Sequence, residues 1–181
     1  MSFRRCSGLA AIAALLAVAA PSQARAPIWI PQSSNGNPVA AIGVGGGASI
    51  QVFCYARPSP RYVLVAKGPA RGLRPGRGVI GRIQGRQTVK VRFDRIELAP
   101  GSLAVLTVQG GLRGTTGDQP RALYSIEAIR AAKKPITLSS GPFSITVPET
   151  GAAAAIARLE KTCGDVKGMA KRAEGRFGEV N

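Results

Sequence analysis

Three cysteines occur in the 181 residues, and their placement constrains the fold more than any other feature. Cys6 sits at the front of what reads as an export leader. Cys54 and Cys163 remain once the leader is removed, and an exported chain meets an oxidising compartment, where a lone pair of cysteines forms one bridge. Two separate buried thiols are the competing reading, and the compartment argues against it. The bridge closes a loop of about 110 residues, which on the chain-entropy argument contributes roughly 4–5 kcal/mol. An early segment of the chain must therefore meet a late one.

The leader has three parts. Arg4 and Arg5 supply positive charge, residues 9–20 form an unbroken apolar run, and Pro21 ends it. Ser22 and Ala24 then place small residues where a signal peptidase needs them, with Ala26 as a second cleavage point. The run is shorter than the ~20 residues of a spanning helix. The arginine pair lacks the context of a twin-arginine signal, and Cys6 precedes the apolar run, where a lipidated cysteine would follow it. Residues 1–24 are expected to be a cleavable signal peptide. The mature protein is then exported, periplasmic or secreted, with no transmembrane segment.

About 157 residues remain, enough for one domain with a real core. Losing Arg4 and Arg5 leaves 23 basic against 9 acidic residues, a net charge of about +14. Residues 25–49 read as a Gly/Pro/Asn-rich N-terminal segment, loop-like, with Trp29 as a short strand or an anchor onto the core. Residues 50–164 read as a single globular domain, and 165–181 as a basic flexible tail. Strands are expected over 50–55, 62–67, 79–83, 88–96, 103–108, 136–138 and 143–147. In the fourth of these Val89, Val91 and Phe93 face one way, and Lys90, Arg92 and Asp94 the other.

A helix should start at Asp118 as cap with Pro120 in its first turn, carry Ala122, Leu123, Ile126 and Ile129 on one stripe, and stop at Pro135. A second should run over 152–163, with Ile156, Leu159 and Cys163 on one face and Gly164 as C-cap. The class is α+β, mostly β: an antiparallel, sandwich-like sheet with two short helices toward the C-terminus and one disulfide. Cys54 shares a face with Ile50 and Val52, so the bridge pins the last helix to an early strand.

Gly43, Gly45 and the residues up to Ala48 match the spacing of a dinucleotide fingerprint. That motif needs a helix directly after the glycines and an acid about 20 residues on. Here a strand follows, and no acid appears before Asp94, so a loop is expected. Residues 57–95 hold eleven basic residues and one acid, punctuated by glycines. Such a stretch can neutralise anions; its competitor is a solvated hairpin region. Only Tyr62 and Phe93 interleave it, too few for a base-stacking platform. The candidate anion-binding residues are Arg71, Arg74, Arg77, Arg82 and Arg86.

Catalysis finds little to work with. Without histidine there is no Ser-His or Cys-His pair and no His-containing metal site. Asp94 and Glu97 lie three apart on a strand and so face opposite ways. No Cys-x-x-Cys occurs, no cofactor motif survives its context, and no metal ligands group together. The expectation is a non-enzyme without a cofactor. The tail places Val166, Met169, Ala170, Ala173 and Phe177 against lysines and arginines, but Gly168 and Gly175 interrupt it. A solvated tail is expected there rather than a membrane-surface helix.

The layout resembles small exported bacterial envelope proteins of the invasion-associated locus B type, and periplasmic accessory proteins associated with type VI secretion. The resemblance is carried by Trp29 opening the mature domain and by a strand ending in Cys54. A helix before the strand at Ile136, the Phe143-Ser-Ile-Thr-Val strand, and the Ala-rich helix from Gly151 to Cys163 complete it. It covers the two ends of the mature chain, not the basic centre. It implies a periplasmic, β-sandwich-like, non-enzymatic domain, and carries over only the Cys54–Cys163 bridge. Size, β-content and a disulfide are also similar to those of periplasmic lysozyme inhibitors, but a charge of about +14 would repel a cationic lysozyme. The leading expectation is an accessory protein of the cell envelope that docks on another envelope protein. The alternative is a polyanion binder whose arginines take cell-wall polymer, lipid headgroups or nucleic acid.

Overall fold

The computed structural model describes residues 26–77, 79–112 and 119–177. The expected signal peptide and Asp118 lie outside the described residues.

The first surprise is at the N-terminus. Asn35 and Gly36 both have positive φ, 50° and 76°, the backbone of a two-residue turn that matches strand twist. They join β1 (Ile30–Ser34) to β2 (Asn37–Val44) in register. Residues 25–49, expected to be loop-like, thus carry two strands. The glycines at 45–47 make the turn from β2 into β3 (Ala48–Tyr55), so they open a hairpin and not a nucleotide-binding helix. Trp29 is an anchor: its indole Nε1 donates to Pro148 O at 2.9 Å, and its backbone N to Thr150 O at 2.9 Å.

The chain continues through β4 (Arg61–Pro69), β5 (Val79–Gln84), β6 (Thr88–Phe93), β7 (Arg95–Ala99) and β8 (Leu103–Gly111). The single strand expected over 88–96 is two strands. At Asp94 the chain leaves one sheet for the other, held by Asp94 N on Thr107 O (2.9 Å) and by Gln109 N on Asp94 Oδ2 (2.8 Å). Helix α1 (Gln119–Arg130), β9 (Ile136–Ser140), β10 (Phe143–Val147), α2 (Ala152–Cys163) and α3 (Val166–Phe177) follow.

The strands form two antiparallel sheets, one of six strands in the order β1-β2-β3-β4-β8-β7 and one of four in the order β10-β9-β5-β6. The fold is mostly antiparallel β, with three helices among the described residues. Alternation builds the core: Ile50, Val52 and Cys54, then Tyr62, Leu64 and Ala66, then Ala104, Leu106 and Val108 face inward from the larger sheet. Ile83, Val91, Phe93, Leu138, Phe143 and Ile145 meet them from the smaller one. Leu123, Ile126 and Ile129 bring α1 against β8, where Gly110 allows the approach. A Cβ at 110 would lie 2.8 Å from the Leu123 Cγ and 2.9 Å from Gln119 O.

The bridge joins Cys54 of β3 to Cys163 at the end of α2, both buried, with Cα atoms 6.0 Å apart. Tyr62, the cross-strand partner of Cys54, donates its hydroxyl to Gly164 O, the residue after Cys163. Burial, with the carboxylates of Glu160 and Asp165 adding to it, pushes the Tyr62 phenol well above its usual range. The segment expected to be a flexible tail is the helix α3 through Phe177. Asp165 caps it through Oδ2 on Gly168 N, and Val166, Met169, Ala170 and Ala173 bury one stripe.

Candidate cationic surface on the four-stranded sheet

The inward residues of the smaller sheet are apolar except Ser140, and its outward face is left to the alternate positions. Direct pairings place these in rows. Lys90 lies opposite Arg82, Arg82 opposite Ser139, and Ser139 opposite Ser144. The next row is Thr88, Gln84, Thr137 and Thr146, with Thr137 Oγ1 and Thr146 Oγ1 2.9 Å apart in a hydrogen bond. Arg92 stands opposite Ile80 on the other side of the first row. Two strands are thus cationic and two carry hydroxyls.

Every one of these outward positions is polar except Ile80, which is 68% exposed, and none is acidic. Arg82, Lys90 and Arg92 are exposed, and none has an acidic partner within ion-pair distance among the described residues. Like charges placed directly opposite on one face of a sheet destabilise it. The Arg82–Lys90 pair is therefore a local cost that no ion pair among the described residues offsets.

A groove of about 310 Å³ opens beside Arg82. Pairing of β5 with β9 ends at Arg82 and Ser139, and beyond it the strands part. Ile80, Gly81, Arg82, Ser139, Ser140 and Gly141 line the gap. Ser140 Oγ donates to Ile80 O at 3.1 Å across it. Gly81 is required there, since a Cβ would come within 2.5 Å of Ser139 O and of the Phe93 ring.

The structure does not gather the five arginines singled out from the sequence. Only Arg82 lies on this face. Arg86 is in the β5–β6 turn, where its backbone N meets Ala128 O at the end of α1. Arg71, Arg74 and Arg77 are exposed on the connection from β4 to β5, Arg71 with φ of 37°. Lys90 and Arg92 complete the cluster instead, and the alternation of β6 had already set them on the polar side.

A larger cavity, about 420 Å³, lies between β6, α1 and α3, lined by Gln87, Thr88, Val89, Lys90, Arg121, Tyr124 and Glu174. Tyr124 donates to Glu174 Oε2 at 2.6 Å, and this bond, with partial burial, pushes the phenol up to about 12. Glu174 brings negative charge into that cavity, which Thr88 and Lys90 also line, whereas the outward positions of the sheet themselves carry no acidic side chain. Elsewhere the carboxylates serve structure. Asp94 holds the sheet switch, Glu97 pairs with Arg95 at 2.5 Å, and Glu127 and Glu160 flank Arg130. No group of three or more metal-binding side chains lies together among the described residues. Nor is any described helix long and apolar enough to cross a membrane.

Set against protein-family models, curated proteins and solved structures, the chain matches none of them.

Proposed function

We propose that the protein is a non-enzymatic binding domain of the bacterial cell envelope, exported there by residues 1–24, and that it takes anionic polymer on the outward face of its four-stranded sheet. The observation that carries this reading is the Arg82–Lys90 cross-strand pair, joined by Arg92, on a face without one acidic residue. Like charges kept opposed with no ion-pair partner among the described residues gain from an external one. The net charge of about +14 adds long-range attraction for the same class of ligand. This reading puts the polyanion alternative ahead of docking on another protein.

Docking keeps one specific observation in its favour. On the outward face of the six-stranded sheet the half-buried Phe53 and Val63 pair across β3 and β4, next to the buried Val39 and Ala41 of β2, and Ile30 of the edge strand β1 is 42% exposed beside them. Phe53 and Tyr55 stack with centroids 6.3 Å apart, and the Arg61 guanidinium sits 5.0 Å from the Tyr55 ring centroid. Such a face suits an envelope protein partner of the kind expected from the resemblance to invasion-associated locus B and type VI accessory proteins.

An envelope pull-down with the mature protein, washed at low and high salt, separates the two. Anionic polymer lost as salt rises supports the cationic face. A discrete protein that survives high salt, and is lost on Phe53→Ser, supports docking and removes the first reading.

A further inference from the structure

The outward face of the small sheet is not uniformly basic, and its division into two lanes restricts what it can hold. The first lane, β5 and β6, presents Arg82, Lys90 and Arg92. The second, β9 and β10, presents Thr137, Ser139, Ser144 and Thr146 in paired rows. Neighbouring strands stand about 5 Å apart, so a ligand lying across the sheet meets cations at one end and hydroxyls at the other. The groove between the lanes, about 310 Å³, is of the size that begins to hold small ligands.

Three classes of anionic ligand make different demands. Single-stranded nucleic acid uses aromatic platforms for its bases, and this face has no aromatic side chain. A membrane surface calls for several apolar side chains to enter the headgroup layer, and Ile80 is the only one here. A polysaccharide with acidic substituents needs cations for its charge and short hydroxyl side chains for its ring hydroxyls. Serine and threonine hydroxyls both donate and accept, as a sugar hydroxyl does.

We propose that this face is a binding site for an anionic polysaccharide, with the charged substituent over Arg82, Lys90 and Arg92 and the sugar hydroxyls over Ser139, Ser144 and the groove. The inference rests on the polyanion reading above and names its ligand class. The acidic group can be a carboxylate or a phosphate, since both are held by the same guanidinium and ammonium donors.

The test compares the mature protein with a Ser139→Ala/Ser144→Ala variant against four probes. These are polygalacturonate, phosphorylated dextran, an oligothymidylate of matched charge, and phosphatidylglycerol vesicles. Both serines are outward-facing on the sheet, so the fold does not depend on them, and thermal unfolding verifies it. The expected result is tighter binding to one or both glycans than to the oligothymidylate or the vesicles. The variant should lose about tenfold in glycan affinity, the scale of one or two hydrogen bonds, and keep its binding to the oligothymidylate. The better glycan then identifies the acidic group. Equal binding to glycan and oligothymidylate with no effect of the variant overturns the polysaccharide inference and leaves the anion-binding reading standing. Tighter binding to vesicles overturns it in favour of a lipid surface. Binding to none of the four overturns both.

Discussion

Arg82 and Lys90 face each other across β5 and β6 with exposed side chains and no ion-pair partner among the described residues, and their opposition has a measurable signature. Replacing Arg82 by Gln removes a repulsion without opening the core, so stability should stay level or rise by a few tenths of a kcal/mol. Denaturant unfolding checks this; a loss above about 1 kcal/mol would mean that Arg82 holds the fold and is not spare charge. Tyr124 gives a pH test. Its bond to Glu174 raises the phenol from near 10 to about 12, so the folded state holds this proton more tightly than the unfolded chain. The resulting stability is fully present below about pH 10 and is lost as pH rises through about 12. Tyr124→Phe should flatten the fall of stability across that window, and an unchanged slope would contradict the assignment.

Elements with clean periodicity were legible in the chain: β3, β4, β6, β8, the apolar stripe of α1, and α2 with Cys163 on its buried face. Two of the misreadings came from glycine, whereas the split of 88–96 at Asp94 came from a switch between sheets that alternation alone does not show. The Asn35-Gly36 pair is a strong hairpin signal, but it lies between prolines and a glycine run, and that composition masked two strands. In α3 the glycines at 168 and 175 look like interruptions. They are tolerated because tertiary burial of Val166, Met169, Ala170 and Ala173 outweighs the roughly 1 kcal/mol that each glycine costs a helix. The Asp165 cap and the i, i+3, i+4, i+7 spacing were readable signals. Met169 tests the point, being 1% exposed. Met169→Ala should cost about 2–5 kcal/mol in equilibrium unfolding, whereas a frayed tail would lose almost nothing. The cationic face was half legible. Alternation placed Lys90 and Arg92 on the polar side of β6, but the partners of β5 depend on pairing between residues far apart in sequence, so Arg82 could not be separated from Arg71, Arg74, Arg77 and Arg86.

For the molecule as a whole, the bridge and Tyr62 fasten the same two places, β3–β4 and the end of α2. Since α3 follows directly from this point, the tie also sets the C-terminal helices against the sheets. Reduction should lower stability by about 2–5 kcal/mol, seen as a lower denaturant midpoint with dithiothreitol, and thiol labelling of the unreduced mature protein should modify neither Cys54 nor Cys163. A midpoint unaffected by reductant would mean that the bridge adds nothing to the native fold. At this scale the two outward sheet faces differ in kind, one mixed with an aromatic patch at Phe53 and Tyr55, the other cationic and hydroxyl-bearing, and the charge of the chain as a whole does not say which is used. The deciding measurement is the salt dependence of binding to polygalacturonate. It compares the mature protein with Arg82→Gln/Lys90→Gln/Arg92→Gln and with Arg71→Gln/Arg74→Gln/Arg77→Gln, two variants that lose equal charge. If the small sheet's face is the site, the first variant loses at least about tenfold more affinity than the second, and its salt slope becomes shallower. Equal losses in both would mean that net charge alone binds the polymer and that the face is not a site.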